Sequence, residues 1–196
     1  MKTSIADSRQ HILRIGKGLI LRKGFTAVGL AELLAAASVP KGSFYHYFAS
    51  KEAFGEALLE WYFEEHLQHL DTLLTRPSSA AERLNGYWRY WLAAQRGDDP
   101  NAKCLAVKLS AEVSDLSEAM RAVLERGTDG VIRRLTECIE DGKLDGSIAV
   151  PDSAKELATS LYAMWLGASL LAKVTQDDRP LQTAMVSTRH ILKLSR

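Results

Sequence analysis

The stretch Val39-Pro40-Lys41-Gly42-Ser43-Phe44-Tyr45-His46-Tyr47-Phe48, followed by Ser50-Lys51-Glu52, decides how this chain folds. Phe44 and Phe48 are four residues apart, so on a helix they share one face and can pack inward. Pro40 suits the first helical position, because its missing N–H would be unpaired there in any case. The stretch therefore predicts a short helix with an apolar back and a polar front, and a second helix directly after it.

The polar front of this short helix carries groups that can contact a DNA backbone. Gly42 is unexpected there, because glycine costs roughly 1 kcal/mol relative to alanine inside a helix. Its lack of a Cβ atom would let the backbone come close to a phosphate or a base edge. Lys51 adds charge at a helix start that already favours anions. We therefore expect a DNA-contacting set made of Lys41, Gly42, Ser43, Tyr45, His46, Tyr47 and Lys51.

Two further helices are predicted upstream of this stretch. An apolar stripe that includes Leu30 and Leu33 predicts a helix over residues 30–37, and a tight turn separates it from the short helix. An earlier amphipathic helix begins near residues 4–8 and ends with Arg22-Lys23-Gly24, basic residues and then glycine, as is typical of a helix carboxyl end. Two short helices joined by such a turn form a helix-turn-helix, whose second helix enters the major groove of DNA.

These motifs, together with Gly24-Phe25-Thr26, resemble the amino-terminal domain of TetR-type repressors. The resemblance implies that Thr26 joins the DNA-contacting set and that the last two helices form a four-helix interface in a homodimer. Two reader helices about 34–36 Å apart would then meet successive major grooves of a palindromic operator in double-stranded DNA. The resemblance also favours repression over activation, and it places a helix-turn-helix domain at residues 1–50 and a sensing and dimerisation domain at residues 51–196.

Charge and composition agree with a soluble regulator. Residues 1–51 contain eight Lys or Arg and two acidic residues, whereas the whole chain of 196 residues has a formal charge of only +1. A positive amino-terminal part on a negative body fits a protein that presents one end to DNA. We expect a cytoplasmic location, because no uninterrupted run of 18 apolar residues predicts a membrane span and the two cysteines indicate a reducing compartment. No motif predicts a cofactor, and no ligand spacing predicts a metal site.

The rest of the chain predicts helices only, so the expected fold is all-α. None of these segments shows the alternating pattern of a strand. A glycine at position 142 is expected to close one of the helices. The predicted helices cover residues 50–74, 79–96, 101–113, 114–140, 152–175 and 180–194.

Cys104 is the candidate sensor residue. It falls in the first turn of a predicted helix, close to Lys103 and Lys108, and both features favour the reactive thiolate. This segment and residues 165–173 resemble electrophile-responsive members of the TetR-type repressors. That resemblance implies that Cys104 reacts with electrophiles or oxidants, that the repressor then releases DNA, and that the controlled genes encode detoxifying reductases. Lys173 is a second candidate, either paired with the oxidised sulfur or capping its helix.

Two alternatives remain open from the sequence. A reversible small-molecule inducer could fill a pocket lined by Trp61, Trp88, Trp91, Trp165 and Ser169, with Cys104 incidental. A thiol enzyme could instead use Cys104 with His66 or His69 as base, although neither histidine has a catalytic spacing. Cys138 follows Ile132 and Leu135 on an apolar stripe and is interpreted as an unreactive core residue.

Overall fold

The computed structural model of the chain describes residues 5–96 and 104–194, with side chains from residue 8 onward. Within these ranges the secondary structure is entirely helical, so the all-α prediction is confirmed. The helices are α1 (Ile5–Lys23), α2 (Leu30–Ala37), α3 (Lys41–Tyr47), α4 (Lys51–Leu74), α5 (Ala80–Arg96), α6 (Leu105–Val113), α7 (Glu118–Leu144), α8 (Ala154–Thr175) and α9 (Arg179–Ile191). The predicted start of α6 near residue 101 lies outside the described residues.

The bounds of α7 differ from the prediction at both ends. The helix begins at Glu118 rather than residue 114, because the Ser117 hydroxyl accepts a hydrogen bond from the Met120 N–H at 3.2 Å and so caps the first turn. It continues past Gly142, so the prediction that this glycine closes the helix is wrong. A Cβ atom at position 142 would lie 2.5 Å from Ile148, and the turn is made instead at Gly146, whose φ is +75°.

The first compact unit comprises Met1–Glu64 and Asp99–Gly127. It therefore contains α1–α3, the first half of α4, α6 and the start of α7. The aromatic core predicted from the opening stretch is confirmed, because Phe44 is fully buried, Phe48 is 2% exposed and both rings contact Phe54 of α4. Leu105 and Leu109 of α6 are buried in the same apolar cluster. The helix that follows Cys104 thus packs with the predicted DNA-binding helices.

The second compact unit comprises Glu65–Asp98 and Thr128–Arg196. Its α8 and α9 pack against each other, and α9 also packs on α5. By length and composition alone α8 could cross a membrane, but its buried face includes Trp165, whose indole N–H donates to the Thr188 hydroxyl of α9 at 2.9 Å. A functional division at residue 50 remains a prediction, since the packing units group the helices differently.

Candidate nucleic-acid interface and thiol site

The predicted reader helix, α3, presents its polar residues outward. Lys41, Gly42, Tyr45 and His46 are exposed, and Ser43 and Tyr47 are part-buried. Pro40 is the N-cap rather than the first helical residue, with an extended backbone that leads into the turn. At the other end of that turn Ser38 adopts a left-handed conformation and its N–H donates to Ala35. The two helices of the helix-turn-helix are therefore joined as the sequence predicted.

No contact within the described part of the chain requires a glycine at position 42. Its backbone is not in the left-handed region, and a Cβ atom built there would meet nothing within 4 Å. Glycine nevertheless weakens a helix. The space in front of Gly42 is therefore open, and a close approach of DNA at this position stays a prediction.

Thr26 and Lys51 lie together beside the reader helix. The Lys51 ammonium donates to the Thr26 carbonyl oxygen at 3.3 Å and lies 4.7 Å from the centre of the Phe25 ring. Burial lowers the pKa of Lys51, and the nearby Glu112 carboxylate opposes that effect. Ser50 caps α4 by accepting from the Ala53 N–H at 3.0 Å, so Lys51 is held at a helix amino terminus.

Glu112 is a residue of this region that the sequence analysis missed. From the end of α6 its carboxylate accepts hydrogen bonds from the backbone N–H groups of Phe25, at 3.1 Å, and Thr26, at 2.6 Å. The partners are 86 and 87 residues away in the chain. Sequence patterns predict contacts only between residues that are close in the chain, so this contact could not be predicted from the sequence.

Cys104 is the N-cap of α6 and is part-buried. The Tyr62 hydroxyl of α4 donates to its Sγ atom at 3.3 Å. Burial raises the pKa of the Cys104 thiol, while the Tyr62 hydroxyl and the backbone N–H groups of Val107 and Ala106 oppose that rise. The expected lowering of this pKa is therefore wrong, because burial outweighs the helix start. Lys103 lies outside the described residues.

Tyr62 was also missed by the sequence analysis. It is 7% exposed, and the Lys17 ammonium of α1 lies 5.7 Å from its ring centre and 5.6 Å from that of Trp61. The thiol is thus linked through one phenol to α4, with α1 next to it. A buried tyrosine needs a partner for its hydroxyl, but the sequence alone could not identify that partner as the sulfur.

The predicted aromatic pocket is occupied by its own side chains. Trp88 and Trp165 stack with ring centres 5.0 Å apart, and the Trp91 indole N–H donates to the buried Ser169 hydroxyl at 3.0 Å. The three tryptophans of this cluster and Ser169 belong to the second compact unit, whereas Trp61 belongs to the first. The Trp88 indole N–H is buried and has no hydrogen-bond partner among the described residues.

The remaining sequence candidates have clear positions. Lys173 is exposed in the last turn of α8, and its carbonyl oxygen accepts from the Gln176 side chain at 2.7 Å. Cys138 is 3% exposed, and burial raises the pKa of its thiol to about 11. The interpretation of Cys138 as a core residue is confirmed, and its low reactivity stays a prediction that the raised pKa favours.

The outer faces of α8 and α9 expose large apolar side chains. Leu170 is 53% exposed, Val174 71% and Val186 68%. A surface groove of 580 Å³ lies between these helices, lined mainly by apolar residues such as Met164 and Leu171. Contiguous apolar surface of this kind is typical of a protein–protein interface.

Comparison with known protein families gives two matches that together span most of the chain. Residues 12–58 match the family described as "Bacterial regulatory proteins, tetR family". Residues 80–188 match "Tetracyclin repressor-like, C-terminal domain". The first match covers the helix-turn-helix and the start of α4, and the second covers α5 to α9.

Individual relatives are similar along nearly the whole length. The transcriptional repressor NemR of Escherichia coli K12 is 42% identical over 187 residues, which cover 95% of this chain and 94% of NemR. The repressor DhaR of Mycobacterium sp. strain GP1 is 33% identical over 88% of this chain and 86% of its own. Among solved structures, the reduced form of E. coli NemR matches with a TM-score of 0.90 at 43% identity, covering 95% of this chain and 97% of the other.

Proposed function

Because the chain belongs to the TetR family of transcriptional regulators, we propose that this repressor releases its operator when Cys104 reacts with an electrophile or an oxidant. The chain is a DNA-binding transcriptional repressor, and the prediction that it is a regulator and not an enzyme is confirmed. The observation that carries the proposal is the position of Cys104. Its thiol lies in the same compact unit as the reader helix and is hydrogen-bonded to α4.

Addition of a group to Sγ would disturb a well-packed region. Leu105 and Ala106, which follow the cysteine, are buried, and Tyr62 occupies the space on the thiol's hydrogen-bonding side. Overpacking a core by a few atoms costs about 1–3 kcal/mol and forces side chains or backbone to move. Alkylation therefore acts on Tyr62 and on α6 rather than on a solvated surface.

The long helix α4 connects this disturbance to DNA. Tyr62 and Lys51 lie on the same helix, about 17 Å apart at 1.5 Å per residue. A shift of Tyr62 changes the axis of α4 and thereby the position of the reader helix that packs against Phe54. The modifying reagent acts only through its different reactivity with the DNA-binding and the released conformations.

The raised pKa sets the kind of sensor that we propose. A thiol with a pKa above its ordinary value holds less thiolate at neutral pH than a free cysteine, so its reaction is slow for weak electrophiles. Strong electrophiles and oxidants would still react with it. The solved structure of the related E. coli NemR is that of a reduced form, which supports a repressor whose oxidation state matters.

We further propose that the repressor is a cytoplasmic homodimer on a palindromic operator. The exposed apolar faces of α8 and α9 support a four-helix interface between two copies. The exposed residues of α3, with Thr26 and Lys51, would contact each half-site. The controlled genes would encode detoxifying reductases, as the relationship to NemR suggests.

Two roles for Lys173 remain predictions, helix capping and a role beside the oxidised sulfur. Its exposed position in the last turn of α8 supports a helix-capping charge, and a role beside the oxidised sulfur is the alternative. Lys173→Gln should leave operator affinity of the reduced protein unchanged. A smaller response to oxidant in that variant would support the sensing role, and an unchanged response would leave only the capping role.

The decisive experiment measures binding of the chain to its own upstream DNA by fluorescence anisotropy, before and after N-ethylmaleimide. The wild type and Cys138→Ala should lose operator affinity on alkylation, and Cys104→Ser should keep it. Cys138→Ala is the matched control, since it retains Cys104 as the single thiol. Equal loss of affinity in Cys104→Ser, or no loss in the wild type, would overturn the proposal.

A second candidate is a reversible inducer bound within the tryptophan cluster. The observation that favours it is the buried Trp88 indole N–H, which a polar ligand atom could satisfy. An inducer of this class would release DNA equally from the wild type and from Cys104→Ser. Trp88→Phe, which removes the N–H donor together with part of the stacked ring, would weaken that response.

A further inference from the structure

The contact between Glu112 and the loop after α1 joins α6 to the predicted DNA-binding surface. One carboxylate accepts from two consecutive backbone N–H groups, those of Phe25 and Thr26. A carboxylate paired with two N–H donors is a charge-assisted arrangement, which is stronger and more directional than neutral hydrogen bonds. These donors lie between the end of α1 at Lys23 and the start of α2 at Leu30, where no helix satisfies them.

Gly24 makes this contact possible. Its φ of +91° turns the chain at the end of α1, so that the next two N–H groups point to the same side. A Cβ atom at position 24 would lie only 2.9 Å from a Glu112 carboxylate oxygen. The glycine therefore serves both the helix end and the close approach of the carboxylate.

The loop that Glu112 holds carries one of the predicted DNA contacts, Thr26, and accepts a hydrogen bond from a second, Lys51 of α4. Thr26 is exposed, and its carbonyl oxygen accepts from the Lys51 ammonium. Although burial acts against it, the hydrogen bonds from Thr26 and Phe25 lower the pKa of Glu112, with a contribution from Lys108. The carboxylate is therefore ionised at neutral pH and orders the Thr26–Lys51 pair.

The same helix joins this contact to the thiol. Cys104 caps the start of α6 and Glu112 lies near its end, about 12 Å away at 1.5 Å per residue. We treat this nine-residue helix as a rigid element, because its successive backbone hydrogen bonds overlap along the chain. A displacement at the Cys104 end therefore changes the position of the carboxylate at the other end.

We propose that Glu112 is a positioning residue of the repressor: its carboxylate holds the Phe25–Thr26 segment in the DNA-binding geometry, and a shift of α6 releases that segment. The holding role needs only the DNA-binding function. The release on modification of Cys104 rests on the proposed function. Glu112 thus provides a second connection from the thiol to DNA, separate from Tyr62 and α4.

The first test is operator affinity of the reduced full-length protein. Glu112→Gln keeps the size of the side chain but replaces one acceptor oxygen by an NH₂ group, and we expect at least about tenfold weaker binding, which corresponds to about 1.4 kcal/mol. Asp115→Asn is the matched control, because Asp115 is exposed on the segment after α6 and its change removes the same charge. Removal of a negative charge alone would strengthen DNA binding, so a loss in Glu112→Gln only is not a charge effect.

The second test follows the two amides directly. Hydrogen exchange at the Phe25 and Thr26 N–H groups should be slow in the wild type and in Asp115→Asn, and faster at one or both of them in Glu112→Gln, which keeps a single acceptor oxygen, with the rest of the unit unchanged. Global loss of protection in Glu112→Gln would mean that the variant unfolds, and Glu112→Asp would then be used, since its shorter side chain reaches at most one of the donors. Wild-type affinity in a variant whose two amides exchange fast would overturn the holding role.

The third test separates this inference from the proposed function. N-ethylmaleimide should accelerate exchange at the two amides in the wild type, and its fold-reduction of operator affinity should be smaller in Glu112→Gln. If alkylation releases DNA while the two amides stay protected, the Glu112 connection fails and Cys104 sensing stands. If alkylation leaves DNA binding intact in the wild type, Cys104 sensing fails, and the release role falls with it while the first test still decides the holding role.

Discussion

Gly42→Ala separates the demands of DNA binding from those of folding. The change adds one methyl group on the exposed side of α3, where a Cβ atom would meet nothing within 4 Å of the chain. Alanine is the better helix former, by about 0.5–1 kcal/mol at an unstrained helical position. We expect the variant to unfold at a temperature about 1–4 °C higher, given 2–4 °C per kcal/mol for a chain of this size.

Operator binding of Gly42→Ala should change in the opposite direction. If the backbone at Gly42 approaches DNA closely, the added methyl group overpacks that contact, at a cost of about 1–3 kcal/mol. This cost corresponds to about 5- to 150-fold weaker binding. Fluorescence anisotropy with operator DNA measures the affinity, and thermal unfolding followed by circular dichroism measures the stability of the same preparation.

Gly86→Ala is the matched control for Gly42→Ala. Gly86 lies inside α5, and a Cβ atom there also meets nothing within 4 Å. The control should gain similar stability and bind the operator as the wild type does. Unchanged operator affinity in Gly42→Ala would refute the close approach, and a lower unfolding temperature would refute the assignment of Gly42 to an unstrained helical position.

Three further predictions concern the thiol and the dimer. Alkylation of Cys104 should accelerate about tenfold per pH unit and continue to do so above pH 8.5, because burial raises the pKa of its thiol and the thiolate is the reactive form; a plateau below that pH, in stopped-flow reaction with N-ethylmaleimide, would contradict it. Tyr62→Phe should slow the same reaction at pH 7.5, since the hydroxyl that stabilises the thiolate is lost; an equal or faster rate would show that packing alone controls access. Val174→Asp on α8 should give a monomer in analytical ultracentrifugation and lose operator binding, whereas Leu144→Asp, at an even more exposed apolar site on α7, should change neither.

The existence of the helices could be predicted because helices depend on neighbours within four residues. The spacing of Phe44 and Phe48 predicted the buried back of α3, and α4 begins one residue after the predicted position. Errors arose where a residue had a second use. Gly142 looked like a helix end, yet it is small because Ile148 packs against it, and the turn is made four residues later.

The environment of Cys104 could not be predicted, because it depends on contacts between distant segments. The described helix begins at Leu105 with Cys104 as its N-cap, so Cys104 lies at the helix start rather than within the first turn, and the backbone N–H groups of Ala106 and Val107 do act to lower the pKa of the thiol. Burial in the cluster that surrounds Tyr62 outweighs them. The same limitation applies to the tryptophans, which were predicted to line a pocket, while Trp88 and Trp165 stack on each other.

The position of α6 has a consequence for how regulation can work in this chain. A thiol at a remote site would need a long series of coupled contacts to reach DNA, and such couplings weaken when they are spread over many residues. Cys104 instead packs in the same compact unit as the predicted DNA-binding helices. Its Sγ atom is hydrogen-bonded to Tyr62 of α4. At the other end of α6, Glu112 is hydrogen-bonded to the loop after α1. The Glu112 contact ends on the Thr26–Lys51 pair, and the Tyr62 contact can reach that pair only along α4, on which Lys51 lies. In the proposed mechanism, modification of Cys104 would therefore disturb the predicted DNA-contacting surface along two routes, which favours a switch that responds to one covalent event.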